Sequence, residues 1–236
     1  QWQRSLYGAS ADDGESVAFD SADNVYVLGT TGSTGAGSGD FLLAKYNSSG
    51  TIQWQRVLGG VSNEVGKIVA IDSADNVYVI GFTQSTGAGN RDFLLAKYNS
   101  SGTIQWQKIL GGAGFDEGNS IVFDSNDDVY VLGQTQSTGA GGYDFLLAKY
   151  DSSGTIQWQR ALGGASNDYG KSLAIDSAEN LYVFGDTGST GGGLVDFLLG
   201  KLPNDGSLEG TYSLDGNNII YQAGTLTAAT STLTAA

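Results

Sequence analysis

The chain has no cysteine, no methionine, no histidine and a single proline. Without Cys and His it can carry no thiol nucleophile, Ser-His triad, thiolate metal site or disulfide, so only carboxylate chemistry remains open to it. Basic residues are few as well: 11 Lys and Arg against 25 Asp and Glu give a formal charge of −14. Such a charge repels nucleic acid and anionic membrane surfaces. No run of eighteen apolar residues suits a membrane-spanning helix. The start, Gln1-Trp2-Gln3, is neither an initiator Met nor a signal peptide, so a processed, excised or incomplete chain is expected.

Glycine is abundant, 37 of 236 residues, more than twice the share of about 7% in average proteins. There is no Gly-X-Y period, and a 40% hydrophobic content with 11% aromatics argues for a folded, turn-rich chain rather than a disordered one. Charged residues are only 15%, so the surface must consist largely of Ser, Thr, Gly, Asn and Gln. That composition suits an exported protein.

Trp2, Trp54, Trp106 and Trp158 are spaced by 52 residues without slippage, and residues 2–53 match 54–105 at 38 of 52 positions with no gap. Four copies fill residues 1–203, and residues 204–236 form a separate tail. Within the second copy, four short strands are expected, Lys67 to Asp72, Val77 to Thr83, Phe93 to Tyr98 and Thr103 to Leu110. Two turn segments, Ser73-Ala74-Asp75-Asn76 and Asn99-Ser100-Ser101-Gly102, join them in pairs. Apolar side chains on both faces of these strands fit sheets sandwiched between sheets. Nothing shows a helical period. The fold class is therefore all-β, a propeller of four four-stranded antiparallel blades.

The strings IDSADNVYVIGFT and DFLLAKYNSSGTIQWQ resemble the SBBP repeat, a bacterial β-propeller repeat, over about 200 of the 236 residues. The resemblance implies a propeller fold and export in large bacterial surface or secreted proteins. It brings no shared catalytic residues. Residues 1–8 correspond to a fourth strand, while Asp196 to Leu202 ends the fourth copy at its third. An N-terminal strand that completes the last blade would close a four-bladed ring within the chain. An eight-bladed ring from two chains and an open array continued by neighbours are the alternatives.

The DSADN and NSSG turns are nearly constant between copies, whereas the connections on the opposite face differ. Those variable loops carry Glu64, Arg91, Phe115, Tyr143, Tyr169, Leu194 and Val195, a candidate surface for a glycan or a cell-surface protein. Drift after duplication would leave the same pattern. Each Trp, fixed in a strand, is read as a blade-packing residue rather than a sugar platform. Asp20, Asp72, Asp124 and Asp176, with Asp23, Asp75, Asp127 and Glu179 three positions on, could hold a hard cation such as Ca²⁺, or could cap their own turns. Asp40, Asp92, Asp144 and Asp196 are expected to fasten the preceding STGAG loop, with Lys45, Lys97, Lys149 and Lys201 as neutralising partners. Asn47 and Asn99 match the glycosylation sequon but are read as turn residues.

The tail is read as a hairpin turning at Asp215-Gly216, followed by TLTAATSTLTAA, with Leu226 and Leu233 seven apart. A neighbouring subunit could receive it by strand addition. The expectation is a non-catalytic extracellular or cell-surface scaffold that assembles into a homo-oligomer or polymer. A lectin-like or adhesin-like module using the variable-loop face is the alternative. No cofactor is called for beyond that candidate Ca²⁺.

Overall fold

The computed structural model describes residues 1–214 and 216–235, and the described residues contain strands and no helix. The strands form the four blades of a β-propeller fold, divided between two compact units. Residues 1–87 and 92–109 with Ala229 onward make one unit, and residues 88–91 and 110–228 the other.

The first blade consists of β1 (Asp12–Phe19), β2 (Val25–Thr31), β3 (Asp40–Tyr46) and β4 (Ile52–Gly59), and the second of β5 (Glu64–Ile71), β6 (Val77–Thr83), β7 (Asp92–Tyr98) and β8 (Ile104–Gly111). The third contains β9 (Asp116–Phe123), β10 (Val129–Thr135), β11 (Asp144–Tyr150) and β12 (Ile156–Gly163). The fourth has β13 (Asp168–Ile175), β14 (Leu181–Thr187) and β15 (Asp196–Leu202). Neighbouring strands pair antiparallel throughout the first, third and fourth blades and from β5 to β7 in the second, and the register repeats from copy to copy: Tyr26 lies opposite Lys45, Tyr78 opposite Lys97, Tyr130 opposite Lys149 and Tyr182 opposite Lys201.

Each blade's first hairpin is closed by its own Asp. Asp20 accepts the backbone N–H groups of Ala22 and Asn24, and Asp23 takes up a left-handed conformation at φ 58°. In the second hairpin Asn47 plays the corresponding part, accepting from the N–H groups of Ser49 and Thr51. The Asn47 amide oxygen is thus spent inside the turn, as the turn reading requires.

Blade follows blade through the tryptophans. The Trp54 indole N–H donates to the Ser100 carbonyl at 3.2 Å, and Arg56 Nε reaches the Gly102 carbonyl at 2.7 Å. Trp158 and Arg160 make the same bonds to Asn204 and Gly206. Gly102 and Gly206 sit under the indole with φ of 78° and 70°, and a Cβ at either would lie about 3 Å from the ring. The Trp rings also meet tyrosines of the preceding strands, Tyr26 edge-on to Trp54 at 5.8 Å. The blade-packing role expected for the Trp residues is what these contacts amount to.

Two expectations about the ends need correction. Among the described residues the last sheet has three strands, β13-β14-β15, not four. Residues 1–8 form no strand; Trp2 donates to the Ser48 carbonyl and Arg4 to that of Gly50, the bonds that Trp54 and Arg56 make one blade further on. The segment is held as the fourth strand of a blade that would precede the first, because its Trp and Arg find the constant turn of the first blade. The tail also differs from expectation. Its strands β16 (Gly210–Leu214), β17 (Asn217–Ala223), β18 (Thr227–Thr230) and β19 (Thr234–Ala235) extend this chain's own sheets, β17 pairing with β12, β18 lying beside β8 and β19 pairing with β4. Each is thus paired within the chain along at least one edge. Asp215, expected in the hairpin turn, lies outside the described residues.

Candidate functional site

The alternation of strand direction places the constant turns at one end of each blade and the variable loops at the other. At the constant end, the carboxylates singled out for a cation are occupied by protein donors. Asp20 takes Ala22 N, Asn24 N, the Asn24 side-chain amide, the Tyr26 hydroxyl at 3.0 Å and Lys45 Nζ at 3.1 Å. Burial pushes its carboxyl up, but those donors outweigh it and hold it at about 2. Asp176, with Asn180, Ala178 and Tyr182 as donors, is likewise held at about 2, chiefly by the Asn180 N–H. Asp72 and Asp124 repeat the arrangement, with Lys97 at 3.6 Å and Lys149 at 3.3 Å.

The left-handed residues three positions on serve as staples between turns. Asp75 accepts from Ser21 N at 2.9 Å and Ser21 Oγ at 2.7 Å, and Glu179 accepts from Ser125 N at 3.4 Å and from its hydroxyl. Asp23 and Asp127 share the left-handed geometry at φ 58° and 59°. Among the described residues no three acidic side chains converge as a metal cluster would require.

The lysines are therefore not partners of Asp40, Asp92, Asp144 and Asp196, and the reason is register. Lys45 lies opposite Tyr26 near the start of β2, whereas Asp40 lies opposite Thr31 at its other end. Asp40 and its equivalents do fasten the STGAG loop, as expected: Ala140 N reaches Asp144 Oδ2 at 3.1 Å and Gly193 N reaches Asp196 Oδ2 at 3.2 Å. The loop glycines 35, 87, 139 and 191 all have positive φ, and a Cβ on any would fall about 2 Å from the carboxylate oxygen. Asp144 Oδ1 is buried with no hydrogen-bond partner. Burial and, next, the charge of Asp168 push its carboxyl up to about 7, against the Ala140 and Gly141 N–H groups.

At the variable end the candidate residues divide. Glu64 is not a surface residue: it is fully buried, accepting from Gly60 N and Thr83 Oγ1, each at 2.7 Å. It is one of a series, Asp12, Glu64, Asp116 and Asp168, and Asp168 holds Gly164 N and the Thr187 and Ser189 hydroxyls in the same way. Arg91, Phe115, Tyr143 and Tyr169 are brought together in the second unit. Arg91 lies 5.4 Å from the Phe115 ring centre and pairs with Glu117 at 3.4 Å, while the Tyr143 and Tyr169 rings are 5.1 Å apart. Burial, then the charge of Glu117, raises the Tyr143 hydroxyl. Lys171, not anticipated, sits over the Tyr169 ring at 5.5 Å and pairs with Asp186. Leu194 and Val195 are exposed in the last blade. In the first unit the same face has an open hollow of about 430 Å³ whose lining includes Asp13, Glu15 and Asn63. These residues could have been found as differences between copies, since the second copy has Val65 and Lys67 where the first has Asp13 and Glu15.

Antiparallel sheets in tandem, joined through Trp and Arg at a 52-residue period, define the class as a β-propeller repeat protein. The SBBP family, described as a beta-propeller repeat, matches residues 2–35, 105–139 and 157–193, and the chain carries this repeat. The regulatory protein FlaEY of Caulobacter vibrioides is 26% identical over 168 residues, covering 61% of this chain and 18% of its own length. An uncharacterized WD repeat-containing protein of Acanthamoeba polyphaga mimivirus is 22% identical over 222 residues, 73% of this chain and 15% of that protein. The chain thus spans under a fifth of either relative. A crystal structure of a Bacteroides caccae protein of unknown function overlaps 87% of this chain and 69% of its own with a TM-score of 0.42 at 8% identity.

Proposed function

We propose that this chain is a non-catalytic structural scaffold, exported to the cell surface or beyond, that assembles with copies of itself. The observation that carries the reading is the state of the two terminal blade faces. Val17 on β1 is 56% exposed, while its equivalents Val69, Ile121 and Leu173 are buried. Phe197 and Leu199 on β15 are 75% and 63% exposed, while Phe41, Phe93 and Phe145, and Leu43, Leu95 and Leu147, are buried. Contiguous apolar surface of this kind marks an interaction site. The absence of Cys and His and the repetition of each acid in blade after blade favour architecture over catalysis. Sedimentation of the intact chain over a range of concentrations, with electron microscopy of the heaviest fraction, tests the reading. A mass above one chain supports it, and a monomer at every concentration ends it.

A second reading has its own observation, the Arg91-Phe115 and Tyr143-Tyr169 pairs on the variable face. Flat aromatic rings beside hydrogen-bonding groups suit a glycan or a protein loop. A glycan array probed with the native chain and with Tyr143→Ala and Arg91→Ala separates it from the first: loss of a specific signal in both variants favours it, and no glycan signal leaves it without support.

A further inference from the structure

Resting on the self-assembly reading, we infer that copies join head to tail by building one shared blade: residues 1–8 of one copy serve as the missing fourth strand on β15 of another. The occupant is identified by sequence and by contacts. Residues 1–8, QWQRSLYG, repeat the fourth-strand segments QWQRVLGG, QWQKILGG and QWQRALGG that begin at Gln53, Gln105 and Gln157. Trp2 and Arg4 already hold the bonds that fourth-strand Trp and Arg make to the next blade, yet no strand pairs with the segment among the described residues. In the other unit, β15 has β14 on one edge and, among the described residues, no fourth strand on the other. Beside it runs an apolar groove between Leu198, Leu199 and Leu202 and the tail residues Leu208, Tyr212 and Leu214.

The register follows from the complete blades. Phe41 lies opposite Leu58 and Phe145 opposite Leu162, Leu43 opposite Arg56 and Leu147 opposite Arg160. Moved on by the repeat, Phe197 should face Leu6 of the second copy, Leu199 its Arg4 and Lys201 its Trp2. The faces match as well. Within each unit Leu28, Phe41 and Leu43 pack in one cluster with Val69, and Leu132, Phe145 and Leu147 in one with Leu173. Phe184, Phe197 and Leu199 hold the covering positions in the last blade, and Val17 and Phe19 the covered positions in the first; all five are exposed. Two polar bonds should also repeat. Ser16 Oγ accepts from Val69 N and Ser120 Oγ from Leu173 N, so Ser172 Oγ should accept from Val17 N of the second copy. Ser21 donates to Asp75 and Ser125 to Glu179, so Ser177 should donate to Asp23 of the second copy. A contact of this kind joins unlike surfaces, so it closes into a ring or runs on as a filament.

The test uses the full chain carrying one exposed substitution at either end. Leu199→Glu disables the last blade and leaves the first intact; Val17→Glu does the reverse. Both positions are exposed, so folding should be kept, and a thermal melt of each variant against the native chain checks it. Each variant alone should sediment as a monomer, and the two mixed should give a dimer of one copy of each and nothing larger. Native-like assembly by either variant alone, or a mixture that stays monomeric, overturns the shared blade while leaving self-assembly by another surface in place. A native chain that is itself monomeric ends both readings.

Discussion

Strands β11 and β15 read DFLLAKY and DFLLGKL, nearly the same sequence in the same place within a blade, yet Phe145 is buried and Phe197 is in water. The same holds for β5 and β1, where Val69 is buried and Val17 is not. The difference lies not in the strands but in what covers them. Burial of an apolar side chain in this fold is a property of the neighbouring sheet, and among the described residues Val17 and Phe197 have none over them. Repeat proteins commonly finish with a polar cap. Here the terminal faces keep the apolar residues of the inner ones.

Truncating the same residue in both places should give the largest difference. Phe145→Ala should lower stability by about 3–5 kcal/mol, as for a buried aromatic, whereas Phe197→Ala should change it by less than about 0.5 kcal/mol in dilute solution. Equal losses, measured by chemical denaturation, would mean that β15 is covered within the single chain. The blade-to-blade clamp gives a smaller effect. Gly206→Ala forces a side chain to φ 70° and against the Trp158 ring, and should cost about 1–3 kcal/mol, read as a fall in the unfolding midpoint.

The two ends of a blade should also answer pH in opposite directions. Asp144 is held at about 7 in the folded chain against an ordinary 3.8. As pH rises between those values the unfolded chain releases this proton first, so the contribution is full below about 4 and is lost as pH passes through about 7. Asp144→Asn, which keeps an acceptor for Ala140 N, should flatten that fall and raise stability above pH 7. Asp20 and Asp176, held at about 2, contribute above 3.8 and lose that contribution as pH falls through about 2. Denaturation curves across pH for the native chain and Asp144→Asn check the sign. The smallest effect belongs to the tail. Gln159 Nε2 donates to the Leu226 carbonyl at 2.8 Å and Gln107 Nε2 to that of Leu233 at 2.9 Å. Gln159→Ala should cost about 1 kcal/mol and speed amide exchange near Leu226 alone.

Much of this architecture was legible in the sequence. A 52-residue period, four strands per copy and turn chemistry at Asp20 and Asn47 are local or repetitive signals, and the register carries them into blades. Pairings across strands were not. Lys45 is five residues from Asp40 and twenty-five from Asp20, yet the hairpin that sets it opposite Tyr26 gives it to Asp20. Glu64 reads as a variable loop residue beside its dissimilar neighbours, whereas the acid at that place in all four copies, Asp12, Glu64, Asp116 and Asp168, is the signal for a buried acceptor. The spacing of Leu226 and Leu233 was visible, but its meaning depended on Gln159 and Gln107, which repeat at the blade period and each hold one turn of the tail.

On the shared-blade proposal the terminal faces are inner faces that a second copy completes. Hydrogen exchange at the amides of β15, measured as chain concentration rises, tests it most directly. β15 and residues 1–8 should exchange fast when dilute and become protected together as copies associate, while β7 and β11 should be protected throughout. Protection of β15 at every concentration, or association that leaves β15 exchanging freely, would contradict it.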